Sequence, residues 1–154
     1  EVTLQGGQTS DDTANNKNGG AVFINGAGKL SMNNSTIKDC KATEDGGAVY
    51  TKGGTVTMMD SSIKGCQAKN GGAIRASANG STPATVSIQG GTVGGMGADI
   101  NKAAGGTDSK GGGIFISGNN SALTLTNVAV KGNTADKDGG GIYVNANAKL
   151  TVSG

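Results

Sequence analysis

Cys40 and Cys66 sit in near-identical surroundings, "IKDCKA" and "IKGCQA". Two thiols can bridge or can help to hold a metal. With no histidine and no further cysteine, a metal site lacks ligands, so no metal is expected. A disulfide stays open as the alternative to two reduced, buried thiols. "GGMGAD" at 94–99 matches the calcium-binding GGxGxD nonapeptide, but that motif works through tandem copies and occurs once here. "GAGK" at 26 lacks the leading glycine and the Ser/Thr of a phosphate loop and reads as a turn. Polysaccharide cleavage would need clustered carboxylates or a basic residue beside them. Asp39, Asp45, Asp60 and Asp138 fall at turns, and Arg75 is the single arginine. The chain therefore reads as non-enzymatic and without a cofactor.

Binding chemistry concentrates elsewhere. The pentads GGAVF, GGAVY, GGAIR, GGGIF and GGGIY recur at 19, 46, 71, 111 and 139. Their fifth residues are Phe23, Tyr50, Arg75, Phe115 and Tyr143, and these include every aromatic residue of the chain. Rings and a guanidinium in one repeating position could form a strip that grips sugars or protein, or could simply stack on one another.

What must position that strip is a repeat. "LSMNNSTIKDCKA", "VTMMDSSIKGCQA", "VSIQGGTVGGMGA" and "LTLTNVAVKGNTA" align without a gap; the opening "VTLQGGQTSDDTA" aligns with them, and "LTVSG" begins a sixth copy. One aliphatic column is Val2, Leu30, Val56, Val86, Leu123 and Leu150, and the next is Leu4, Met32, Met58, Ile88, Leu125 and Val152. A third column holds Thr9, Ile37, Ile63, Val93 and Val130. The cysteine column is Asp12, Cys40, Cys66, Met96 and Asn133, and an alanine column runs Ala14, Ala42, Ala68, Ala98 and Ala135. After each glycine pair come Val22, Val49, Ile74, Ile114 and Ile142.

Apolar residues two apart, in short runs between glycine or polar turns, are half-buried strands. Three such runs per repeat, with no helical period, predict an all-β chain. It is expected to form a right-handed parallel β-helix, or β-solenoid, of about five coils with three short strands each. The glycine pairs fit the corner that enters the first strand. Alternation turns the residues at 23, 50, 75, 115 and 143 outward. On the second strand it turns out a hydroxyl column, Thr3, Ser31, Thr57, Ser87, Thr124 and Thr151, similar to the face of ice-binding solenoids. The longest excursion is expected at 99–110, and "SANGSTPAT" lengthens another connection.

The chain has 154 residues with 30 glycines, one proline, no tryptophan and a net charge of +2. Its lysines are scattered, so no basic block points to nucleic acid, and no apolar run is long enough for membrane insertion. It reads as one domain, 1–154. Because stable monomers block their open sheet edges, that domain is expected to be a segment of a longer repeat protein.

With the columns in place, a motif stands out: Ile/Val-x-x-Asn/Cys-x-Ala followed by Gly-Gly-Ala/Gly-Ile/Val. It resembles the paired FxxN and GGAI repeats of chlamydial polymorphic outer-membrane proteins, and more widely the β-helical passengers of bacterial surface adhesins. "VKGNTADKDGGGIY" carries the likeness best. In place of the Phe of FxxN stand Thr9, Ile37, Ile63, Val93 and Val130, and the Asn is kept as Asn133. The resemblance implies an exported adhesin or stalk at the bacterial cell surface. Its expected partners are a host or matrix glycan or protein, met by the aromatic strip and the 99–110 loop, or neighbouring copies through open coil ends. A head-to-tail filament subunit, a polysaccharide-binding or polysaccharide-cleaving β-helix and an ice-binding protein are the alternatives.

Overall fold

The computed structural model describes residues 1–9 and 17–154. Asp12 and Ala14, placed above in the cysteine and alanine columns, lie outside the described residues. Each coil runs over a first face of four-residue strands, a second of five and a third of three. The first face stacks Val22–Asn25, Val49–Lys52, Ile74–Ser77, Ile114–Ser117 and Ile142–Asn145. The second stacks Lys29–Asn33, Thr55–Met59, Thr85–Gln89, Ala122–Thr126 and Lys149–Ser153. The third stacks Thr3–Gln5, Thr36–Lys38, Ser62–Lys64, Thr92–Gly94 and Ala129–Lys131. All of this pairing is parallel, coil to coil. The architecture is a parallel β-helix. A fourth face, the two-residue strands Gln67–Ala68, Lys102–Ala103 and Thr134–Ala135, adds to the three strands expected per coil. It is short because only one alanine per coil turns inward there.

Alternation decides which side chains fill the interior. Val56, Met58, Val86 and Ile88 on the second face, Ile37, Ile63 and Val93 on the third and Ile74, Ile114 and Ile116 on the first are buried in one continuous core. Each such side chain stabilises the fold by about 1.5–3 kcal/mol relative to exposure. Corners need backbone turned to positive φ. Asn34, Asp60, Gly90 and Asn127 occupy it between the second and third faces, and Asp39, Gly65 and Gly132 between the third and fourth. Asn, Asp and Gly are the residues that tolerate this conformation. Asp39 and Asp60 therefore stand at corners for a conformational reason.

Two parts of the sequence alignment are corrected. The opening strand pairs with the third face, Leu4 opposite Ile37 and Thr3 opposite Thr36. Leu4 is thus not in the Met32 column, Val2 precedes the third-face strand, and Gln8 bridges Lys41, which carries Thr9 past the Ile37 column. The hydroxyl column loses Thr3 and keeps Ser31, Thr57, Ser87, Thr124 and Thr151. The second correction falls in the coil that follows Val93. Residues 95–100 leave the coil around a 3₁₀ turn at Gly97–Asp99, and Met96 points into solvent at 86% exposure. Asn101 and Ala103, not Met96 and Ala98, occupy the cysteine and alanine columns. The excursion expected at 99–110 is therefore two loops, 95–100 and 104–109, separated by a return to the wall.

Candidate functional site

Phe23, Tyr50, Arg75, Phe115 and Tyr143 stand in one register line on the first face, each opposite the next. Their chain neighbours Val49, Thr51, Ile74, Ala76, Ile114 and Ile116 are fully buried, so the line projects from the outer side of the wall. It is continuous. Phe23 stacks on Tyr50 with centroids 5.3 Å apart, Arg75 lies 3.9 Å over Phe115, and Phe115 meets Tyr143 edge-on at 4.9 Å. Lys110 also reaches the Tyr143 ring, at 5.1 Å.

Much of the strip is shut. Tyr50 and Phe115 are each 8% exposed, whereas Phe23 is 49% exposed. Serines that the sequence reading passed over fix the polar ends: Tyr50 Oη lies 3.1 Å from Ser77 Oγ, and Arg75 Nη2 donates to Ser117 Oγ at 2.9 Å. Both serines close their first-face strands, one turn of alternation beyond the strip. Arg75 Nε, 4.0 Å from Asp45, is buried without a hydrogen bond. Burial pushes the Arg75 pKa down from its usual value and the nearby Asp45 carboxylate opposes the shift. Such a guanidinium serves as a fixed cationic plate over Phe115.

The loop at 104–109 meets the strip. Together with Lys69, Asn70, Lys110 and Asn145 it borders a cleft of about 370 Å³ whose floor includes Phe115. Ser109, itself buried, accepts from the Gly106 N–H and donates to the Gly106 carbonyl, which closes the loop. Asp108 ties it down through Lys137 and Lys110, and these hydrogen bonds hold its carboxyl below the usual carboxylate range. The same contact holds the Lys110 ammonium above its ordinary value. Amides, hydroxyls and paired charges around an aromatic floor suit recognition of a polar, neutral ligand.

Inside the wall, the cysteine column is a chain of hydrogen bonds. Asn101 Oδ1 accepts from the Cys66 N–H at 2.9 Å, while Asn101 Nδ2 donates to the Ile63 carbonyl and to Asn133 Oδ1, both at 3.0 Å. Asn133 Nδ2 donates in turn to the Val93 carbonyl at 2.9 Å. Asn101 is the member the sequence reading missed; the signal was "NKA" at 101–103, matching "NTA", "CKA" and "CQA". Cys40 and Cys66 follow in adjacent coils as free, buried thiols that donate to the carbonyls of Lys38 and Lys64. Desolvation raises both pKa values and pushes Cys66 up to about 12. At pH 8 the native protein should therefore react with no thiol reagent within minutes, and should titrate two thiols once unfolded without reductant. Zero in both states would mean that the pair is bridged.

Among the described residues no group of three or more His, Cys, Asp or Glu side chains is placed to hold a metal, and no helix is long and apolar enough to cross a membrane. The Lys64–Asp99 ion pair at 3.3 Å engages the aspartate of "GGMGAD".

Fold and site together define a parallel β-solenoid whose repeat unit is an inward Asn or thiol followed by a glycine-pair corner and an outward ring. The Chlamydia polymorphic membrane protein repeat matches residues 127–145. That stretch covers the third-face strand Ala129–Lys131, Asn133 of the hydrogen-bond chain, the glycine corner and Tyr143. The chain thus carries a repeat of this type, as its sequence resemblance indicates. No curated protein and no solved structure matches the chain.

Proposed function

We propose that the chain is a rigid, non-catalytic display module of a bacterial surface protein, which presents the Phe115 cleft to an extracellular glycan or protein. One observation carries this reading. Two loops leave a single coil, yet the columns on either side keep their register, and the second loop walls a cleft that Phe115 also lines. Insertions borne by an unperturbed solenoid wall are where such proteins vary their contacts. The repeat match supports placement at a bacterial surface.

The test exchanges residues 104–110 for Lys-Asn, the connection that residues 69 and 70 make in the preceding coil, and measures capture of cultured epithelial cells and of a panel of immobilised neutral glycans. The wild-type chain should bind a cell or a glycan, and the exchanged chain should lose that binding with its circular dichroism unchanged. Equal binding by both chains, or none by the wild type, would overturn the reading.

A further inference from the structure

The lysines look scattered in the sequence, but the coil gathers five of them at one corner. Lys38 and Lys64 are register partners on the third face, and Lys131 continues their line beyond Gly94. Across the turn, Lys41 and Lys102 share a line on the fourth face. Of these only Lys64 has an ion-pair partner among the described residues, Asp99. The next corner, between the fourth and first faces, differs, for there Lys69, Lys110 and Lys137 are matched by Glu44, Asp108 and Asp138. The small net charge of the chain therefore hides an edge along the coil axis where, among the described residues, five lysines face only two acids, Asp39 at the corner and Asp99 on Lys64.

That edge contains a notch. Gly94 stands where the line would carry another side chain, so Lys64 and Lys131 flank a gap of roughly 10 Å, two coil spacings. A cleft of about 450 Å³ opens there, lined by Ser62 and Thr92 beside the two lysines, with exposed Met96 and Asp99 from the 95–100 loop. Bare phosphate chemistry does not call for Asp99, which would repel an anion. A sugar carrying both hydroxyls and anionic groups does, since the carboxylate and the hydroxyls bond its ring substituents while the lysines meet its charges. All four aromatics lie on the first face, so this edge offers no platform for stacking bases.

We propose that this edge binds an acidic polysaccharide, with Lys38, Lys64 and Lys131 on its charged groups and the notch at Gly94 receiving one ring. The site is separate from the Phe115 cleft and needs neither the strip nor the 104–109 loop. Binding of the full chain to immobilised dextran sulfate and polygalacturonate should be measurable and should weaken as salt rises. The triple variant Lys38→Gln/Lys64→Gln/Lys131→Gln should lose about tenfold or more in affinity. Lys29→Gln/Lys52→Gln/Lys149→Gln, which removes equal charge from the first and second faces, should lose less than about twofold. Asp99→Asn frees Lys64 and should tighten dextran sulfate binding while weakening polygalacturonate. The loop exchange at 104–110 should change nothing here, which separates this site from the proposed display role. Equal losses in the two triple variants, failure to bind either polymer at low salt, or tighter binding to single-stranded DNA or phosphatidylserine vesicles would overturn the proposal.

Discussion

Gly72→Ala should destabilise the protein by about 4 kcal/mol or more, enough to consume a large share of an ordinary domain's stability. The residue is the second glycine of the GGAIR pentad, and its backbone is not in the left-handed region. The reason is contact. An added Cβ would fall on the Gly112 carbonyl oxygen of the next coil and within 2.6 Å of the Lys102 backbone nitrogen. Both obstacles are backbone of peptide units tied to neighbouring coils, Lys102 N–H to the Cys66 carbonyl and Gly112 N–H to the Gly139 carbonyl, so neither can yield without parting the coils. Gly26→Ala supplies the comparison. That glycine has φ of 61° with open space around it, so the substitution meets only the left-handed penalty of about 1–2 kcal/mol. Urea unfolding of both variants, followed by circular dichroism, reads the difference. Similar losses in the two would show that coil spacing does not exclude a methyl group, and would remove the steric account of the pentad.

Asn101→Ala should cost about 3 kcal/mol. The side chain is fully buried and serves three coils at once. Its removal strands the Cys66 N–H in the wall and takes a donor from the Ile63 carbonyl and from Asn133. Each buried group left without a partner costs roughly 1–3 kcal/mol, so losses at several atoms exceed that of an ordinary polar truncation. Asn33→Ala, at the exposed end of a second-face strand, should change stability by less than about 0.5 kcal/mol. If the two variants unfold at the same denaturant concentration, the inward hydrogen-bond chain does not stabilise the coil.

The same residue shows where reading the sequence succeeds and where it stops. The columns of Val56, Val86 and Leu123 or of Ile74, Ile114 and Ile142 were legible because each coil repeats the same inward chemistry at the same step. Met96 and Ala98 imitated that step by spacing alone. A Met side chain cannot accept the Cys66 N–H as Asn101 does, and the coil resolves the conflict by expelling residues 95–100. The opening strand misled for another reason. An aliphatic-x-aliphatic run fits the second or the third face equally well, and only the backbone pairing with Thr36–Lys38 selects the third. The aromatic strip lies on the outer side of the wall, and its closure was not legible. Arg75 plating Phe115 and the loop reaching its edge depend on distances between coils that no single repeat contains. The basic edge is likewise not legible in the sequence, since Lys38 and Lys131 fall in one line only through the stacking of intervening coils.

The parallel pairing has a mechanical consequence. Every ladder hydrogen bond joins one coil to the next, so these bonds point along the rod rather than across it. A force applied along the axis loads the bonds of one junction together, on all four faces at once. A sideways pull on a loose end instead peels a coil strand by strand and breaks only a few bonds at a time. The asparagine chain from Cys66 to Asn133 adds an internal tether across the coil that carries both loops. Ligand engaged at those loops would therefore pull on a coil that this tether joins to both of its neighbours.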